Sequence, residues 1–175
     1  LIPEYLRKDM HDLRSVHGSF IDFYESRGFI KTLYFESRLD IDGMALTAIP
    51  VSRGSEVSSV FVFREGPCKT VYAPCDIKPF PVEREEVREP DLLIIQPGIF
   101  EEGLKHGFIY PEDHISRKTL YTFEESMALA KEIQAENVVF THLEEYWNRS
   151  HDDYLAIQEK CPNIRFAHDG MRLTV

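Results

Sequence analysis

Short apolar runs separated by Gly, Asp and Pro fill the first half of the chain, and the second half alternates strand-like and helix-like patterns. Residues 44–51, 58–63 and 70–73 are rich in β-branched and aromatic side chains and predict successive strands, with residues 30–36 as an earlier one. Asp40-Ile41-Asp42-Gly43 and Glu65-Gly66-Pro67 are turn signals between them. Short helices are expected at residues 4–10 and 19–26, the second with Phe20, Phe23 and Tyr24 on one side and Gly28 closing it. Residues 79–90 read as a charged loop with one helical turn, and residues 101–113 as a long Gly-rich loop.

Residues 92–96 are almost uniformly apolar, the pattern of a strand buried on both faces. Thr122 and Glu125 make a capping box that opens an amphipathic helix through Gln134. A strand follows at 137–140, a helix at 152–160, a strand at 164–167 and a last strand at 171–175 beyond an Asp-Gly turn. Strand, helix, strand, helix, strand at this spacing predicts α/β layering.

Composition narrows the function classes. At 175 residues the chain is expected to be a single domain, 1–175, or a large piece of one. A net charge of -10 argues against a broad nucleic-acid-binding surface, which needs clustered Lys and Arg. A phosphodiester in a local pocket remains compatible with it. Cys68, Cys75 and Cys161 lack CxxC spacing, so the expectation is free thiols in a reducing, cytoplasmic compartment. No run approaches the roughly 20 apolar residues of a membrane-spanning helix, and no membrane partner is expected.

Four polar motifs stand at or near predicted strand exits. Tyr72-Ala73-Pro74-Cys75-Asp76 places an acid after one strand, and Phe140-Thr141-His142 an imidazole after another. His114-Ile115-Ser116 lies in a loop, and Ala167-His168-Asp169-Gly170-Met171 follows the 164–167 strand. Carboxylates and imidazoles at the carboxyl edge of an α/β sheet suit a hydrolytic metal site, because ligands bind outside that edge. Each also has a plain structural alternative. Asp76 suits an Asx-turn, His142 a loop hydrogen bond, His114 a solvated loop and Asp169 a turn.

Taken in chain order, as Asp76, His114 with Ser116, Thr141-His142 and Asp169-Gly170-Met171, the motifs resemble the C-terminal half of the metallo-β-lactamase superfamily, in particular the branch of phosphonate-pathway cyclic phosphodiesterases and transfer-RNA 3′-processing endonucleases. The resemblance spans about residues 41–175, and it implies an αβ/βα sandwich. It further implies that Asp76 and His142 are metal ligands and that His114, with Ser116 nearby, is a general acid or a transition-state stabiliser; Asp169, placed beside such histidines, suits accepting a proton from one of them. Zinc or manganese, one or two ions, is the implied cofactor, and a small-molecule or nucleotide-like phosphate ester the implied partner.

Two departures shape the expectations. The family's His-x-His-x-Asp-His loop does not occur in this chain, which starts with Leu1. The expectation is therefore that the chain is the C-terminal part of the domain, inactive alone and prone to homo-oligomerise through uncovered sheet. Secondly, Pro50-Val51-Ser52-Arg53-Gly54 puts Arg53 where the resemblance implies a ligating histidine. A guanidinium does not bind cations but clamps phosphate bidentately, so Arg53 and Ser116 are the expected substrate-binding residues, with a surface turn as Arg53's alternative. The functional expectation is a metal-dependent phosphodiesterase, and the alternative is a non-catalytic anion-binding or assembly module that keeps the fold.

Overall fold

The computed structural model describes residues 1–54 and 56–174. In chain order the strands are β1 (Ile2–Pro3), β2 (Arg14–Ser15), β3 (Gly18–Ser19), β4 (Tyr34–Phe35), β5 (Arg38–Ile41), β6 (Met44–Arg53), β7 (Glu56–Glu65), β8 (Cys68–Ala73), β9 (Leu92–Ile95), β10 (Asn137–Phe140) and β11 (Ile164–Phe166). The helices are α1 (Arg7–Asp12), α2 (Phe20–Ser26), α3 (Phe123–Glu132) and α4 (His151–Lys160). Strands β5 to β11 form one seven-stranded sheet in sequence order, antiparallel from β5 to β8 and parallel from β8 to β11. The predicted α/β layering is present as β9–α3–β10–α4–β11.

One face of the sheet carries the main core. Ile49, Val51, Val60, Val62, Val71, Ala73, Leu93, Ile95, Val138, Phe140, Ile164 and Phe166 cluster there with Leu129, Ile133, Trp147 and Tyr154. Helix α3 lies on this face through Leu129 and Ala130, and its capping box forms as the sequence predicts, with Thr122 Oγ1 accepting from Glu125 N and Glu125 returning the bond to Thr122 N. Helix α4 carries a second capping box, Ser150 with Asp153, which the sequence reading overlooked. The opposite face of β5–β7 holds a smaller cluster, where Phe35, Leu46 and Ala48 pack with Tyr5, Leu39, Phe61 and Phe63. Tyr5 also hydrogen-bonds Ser59 at 2.9 Å, tying the amino-terminal segment to β7.

Several element boundaries differ from expectation. The predicted strand at 30–36 contracts to Tyr34–Phe35, which pairs with Ile2–Pro3 in a two-stranded sheet. Ile30 and Leu33 are exposed, and β-favouring residues without a neighbouring strand gain little from extension. Arg38–Ile41 is a strand, so the turn foreseen over 40–43 shrinks to Asp42 and Gly43. Both have positive φ, 49° and 90°, the signature of a two-residue hairpin whose twist matches its strands. Residues 4–10 start as a 3-10 turn at Glu4–Leu6 before α1.

The last predicted strand, 171–175, does not form over 171–174, and Val175 lies outside the described residues. Met171 N instead bonds back to His168 O, closing a turn rather than opening a hairpin. Gly28 does close α2, through Gly28 N to Glu25 O and Phe29 N to Tyr24 O. Among the described residues no helix is long and apolar enough to cross a membrane.

Candidate functional site

Ala73, Ile95, Phe140 and Phe166 are successive register partners across the four parallel strands. All four strands therefore end along one line, and the chain leaves each of them at the same edge. Asp76 follows β8, Gln96 follows β9, His142 follows β10, and His168-Asp169 follows β11. Strand spacing alone puts the β8 and β10 exits about 10 Å apart, within reach of side chains leaning across β9.

Asp76 and His142 both occupy the left-handed region, with φ of 50° and 57°. For residues other than Gly this conformation is uncommon and holds only where neighbours enforce it. At Asp76 the neighbours are visible. Arg53, at the end of β6, directs Nη1 to the backbone carbonyls of Asp76 at 2.6 Å and Lys78 at 3.2 Å. Ser58 Oγ donates to the same Asp76 carbonyl at 2.5 Å.

The Asp76 carboxylate accepts from the Cys75 thiol at 3.3 Å. Burial, that hydrogen bond and the nearby charges of Asp76 and Glu144 push the Cys75 thiol up to about 11. The thiol is thus protonated at neutral pH and acts as a donor rather than a nucleophile.

His142 is half-exposed, with Nε2 3.5 Å from Glu144 Oε1. Glu144 was not singled out in the sequence, yet its charge reaches both sides of the edge. Besides Cys75, it contributes to raising the Tyr110 phenol, after burial and Tyr146. Gln96 was also missed. It is buried at 4% exposure, and among the described residues its Oε1 has no hydrogen-bond partner, which leaves a spare acceptor just after β9. A buried amide directly after four apolar residues was the signal available for it.

His114 caps the 3-10 turn Ile115–Lys118, and its Nδ1 accepts from Ser116 N at 3.2 Å. The neutral ring must then carry its proton on Nε2. Edge-to-face contacts with Phe108 and Tyr110 fix the ring plane. Arg117 holds the surrounding loop with a two-pronged bond to Glu101 at 2.8 and 2.9 Å, and with further bonds to the carbonyls of Tyr110 and Pro111. At the start of this loop Gly98 lies so near Tyr121 that a Cβ would sit 2.3 Å from its carbonyl oxygen.

Asp169 is exposed in the closing turn, where its carbonyl oxygen lies 3.0 Å from His168 Nδ1. The sheet edge thus gathers Asp76, Glu144 and His142, with His114 on the flanking loop, while Asp169 stands at the far strand. Ser116 meets His114 through its backbone, and Arg53 meets Asp76 through the main chain. Among the described residues no group of three or more His, Cys, Asp or Glu is arranged to hold a metal ion.

No protein-family model matches the chain, and no curated protein matches it. Solved structures do. YhfI of Bacillus subtilis, a metallo-β-lactamase fold protein, aligns over 94% of this chain and 60% of its own, at 16% identity and a TM-score of 0.57. A diphosphatase of the PhnP family aligns over 87% of this chain and 52% of its own, at 18% identity and 0.58. A possible metal-dependent hydrolase from Veillonella parvula aligns over 93% and 64%, at 11% identity and 0.58.

These likenesses show the fold, and the fold is that of the metallo-β-lactamase proteins. The chain spans between 52% and 64% of the length of these three structures.

Proposed function

We propose that this chain belongs to a cytoplasmic metal-dependent hydrolase that cleaves a phosphodiester or cyclic phosphate, with His114 as a neutral hydrogen-bond donor that stabilises the leaving oxygen in the transition state. The observation that carries the reading is the His114 geometry. Ser116 N–H occupies Nδ1, so the neutral ring carries its hydrogen on Nε2 as a fixed donor, and two aromatic edges hold the ring plane. Charge developing on a leaving oxygen is stabilised by a positioned N–H donor with such a fixed tautomer. Likeness to a PhnP-family diphosphatase favours a phosphate-bearing substrate over a carboxylic ester.

In this reading Asp76 and His142 are ligands of a zinc or manganese centre, and polypeptide beyond these 175 residues supplies the others. The metal would activate water, and this chain's own part is to place two ligands, hold the proton on His114 and position the substrate. Ser116 acts through its backbone N–H, and Asp169 stays near the β11 exit as a proton acceptor.

The test is leaving-group dependence in the native polypeptide that contains this chain. His114→Ala should lower turnover of an alkyl phosphodiester by about 10²–10³-fold, yet largely spare bis(p-nitrophenyl) phosphate, whose leaving oxygen disperses its own charge. Equal losses on both substrates would remove His114 from the leaving-group role. Metal content should fall in Asp76→Ala and His142→Ala. A second reading, an anion-binding module without turnover, draws on the lack of a three-ligand group among the described residues. It predicts phosphate binding with no hydrolysis of either diester.

A further inference from the structure

We infer that Arg53 is a positioning residue that clamps the β8 exit and thereby aims the Asp76 carboxylate. The inference deepens the function proposed above and rests on it only for what Asp76 does. One guanidinium nitrogen reaches two carbonyls of alternate residues, Asp76 at 2.6 Å and Lys78 at 3.2 Å. It lies 3.2 Å from Ser58 Oγ, which itself donates to Asp76 O at 2.5 Å. The Asp76 carbonyl is therefore held from two adjacent strands, β6 and β7.

With the carbonyl fixed and φ at 50°, the direction of the Asp76 Cα–Cβ bond is fixed as well. The carboxylate then meets the Cys75 thiol, while Arg53 holds the main chain. A donor that cannot lose its proton suits this task, and the rigid guanidinium plane fixes where Nη1 points more tightly than a rotating ammonium would. A non-glycine residue in the left-handed region otherwise relaxes toward ordinary backbone.

Cys75 is the reporter, since its thiol bonds the carboxylate being aimed. The experiment compares alkylation of Cys75 by iodoacetamide with that of Cys68 and Cys161 in the native polypeptide, followed by peptide mass spectrometry. Arg53→Met should accelerate Cys75 by about tenfold through local opening of the turn, with the other two thiols unchanged. Ser58→Ala should act in the same direction but less, and Arg53→Lys should fall between Arg53→Met and the parent. An unchanged Cys75 rate overturns the inference, as does equal acceleration of all three thiols, which is the mark of general loosening.

Metal affinity in the same variants separates this inference from the functional reading. If Asp76→Asn leaves metal content intact while Arg53→Met still frees Cys75, the metal role of Asp76 fails and the clamp stands. If Asp76→Asn strips the metal and Arg53→Met alters neither Cys75 nor metal affinity, the clamp fails and the ligand stands.

Discussion

The amino-terminal lobe, residues 1–36, and the parallel half, β8 to β11, obey the same local rules with opposite results. Helix α2 has a Ser19 cap and a regular carboxyl end, as α3 has a Thr122 cap and a capping box. Yet α1 and α2 bury no residue, whereas α3 buries Ser126, Leu129 and Ala130, and α4 buries Tyr154. Phe20, Phe23 and Tyr24 follow an apolar pattern but remain 46%, 46% and 43% exposed. Capping and periodicity decide that a helix forms, and the presence of a sheet to lie on decides what it contributes.

The sharpest way to break this comparison is to remove one aromatic from each region. Trp147 is 1% exposed, and its ring packs edge-on to Phe100 within the main core. Trp147→Ala should cost about 3–5 kcal/mol through lost contacts and the cavity left behind. Phe29, 71% exposed in the lobe, should cost less than about 0.5 kcal/mol when changed to Ala. Urea unfolding followed by far-UV circular dichroism measures both. Comparable losses would show that the lobe is as integral to folding as the sheet.

What was legible in the sequence divides along the same line. Residues 122–134, 137–140 and 164–167 were read nearly correctly because their caps and apolar runs are local and their partners lie next to them in sequence. The 30–36 segment was misread because its composition favours extension while its pairing is decided elsewhere, by Ile2–Pro3. At the site, sequence order placed Asp76 and His142 at one sheet edge, and register confirms that their strands end together.

The Arg53 contact to the Asp76 carbonyl was invisible, because side chain to main chain bonds across 23 positions leave no pattern. Glu144 was missed for a similar reason, since its relevance comes only from what the fold sets beside it, whereas Gln96 did carry a local signal, an amide directly after four apolar residues.

A smaller effect separates the helix caps. Thr122→Ala and Ser150→Ala each remove a side-chain acceptor and unsettle a reciprocal bond, at a cost of about 1 kcal/mol to global stability. Ser19 accepts from Asp22 N at a longer 3.5 Å in a helix that buries nothing. Ser19→Ala should therefore increase amide exchange within residues 20–26 and leave the urea midpoint unchanged. A matching shift in the midpoint would mean that α2 unfolds together with the sheet.

The smallest expected effect concerns ion pairs, which both regions possess. Glu4 is held below the usual glutamate range by its hydrogen bonds to Arg7, but the pair is exposed and joins residues three apart. Glu101 is held low by Arg117 in the same way, and this pair closes a loop across 16 positions. A carboxylate with a lowered folded value stabilises fully above its unfolded value and loses that contribution as pH falls through the folded one. Because Glu101 is 37% exposed, solvent screening keeps the contribution to about 1 kcal/mol or less.

Acidification below the ordinary glutamate range should then raise amide exchange across residues 102–114, loosening the loop that presents His114. Arg117→Met should produce the same exchange pattern already at neutral pH, and should remove its acid dependence. The corresponding change at Arg7 should leave exchange in that loop untouched. If Arg117→Met leaves loop protection unchanged, the aromatic contacts of Phe108 and Tyr110 hold His114 unaided, and the ion pair is as peripheral as the one at Glu4.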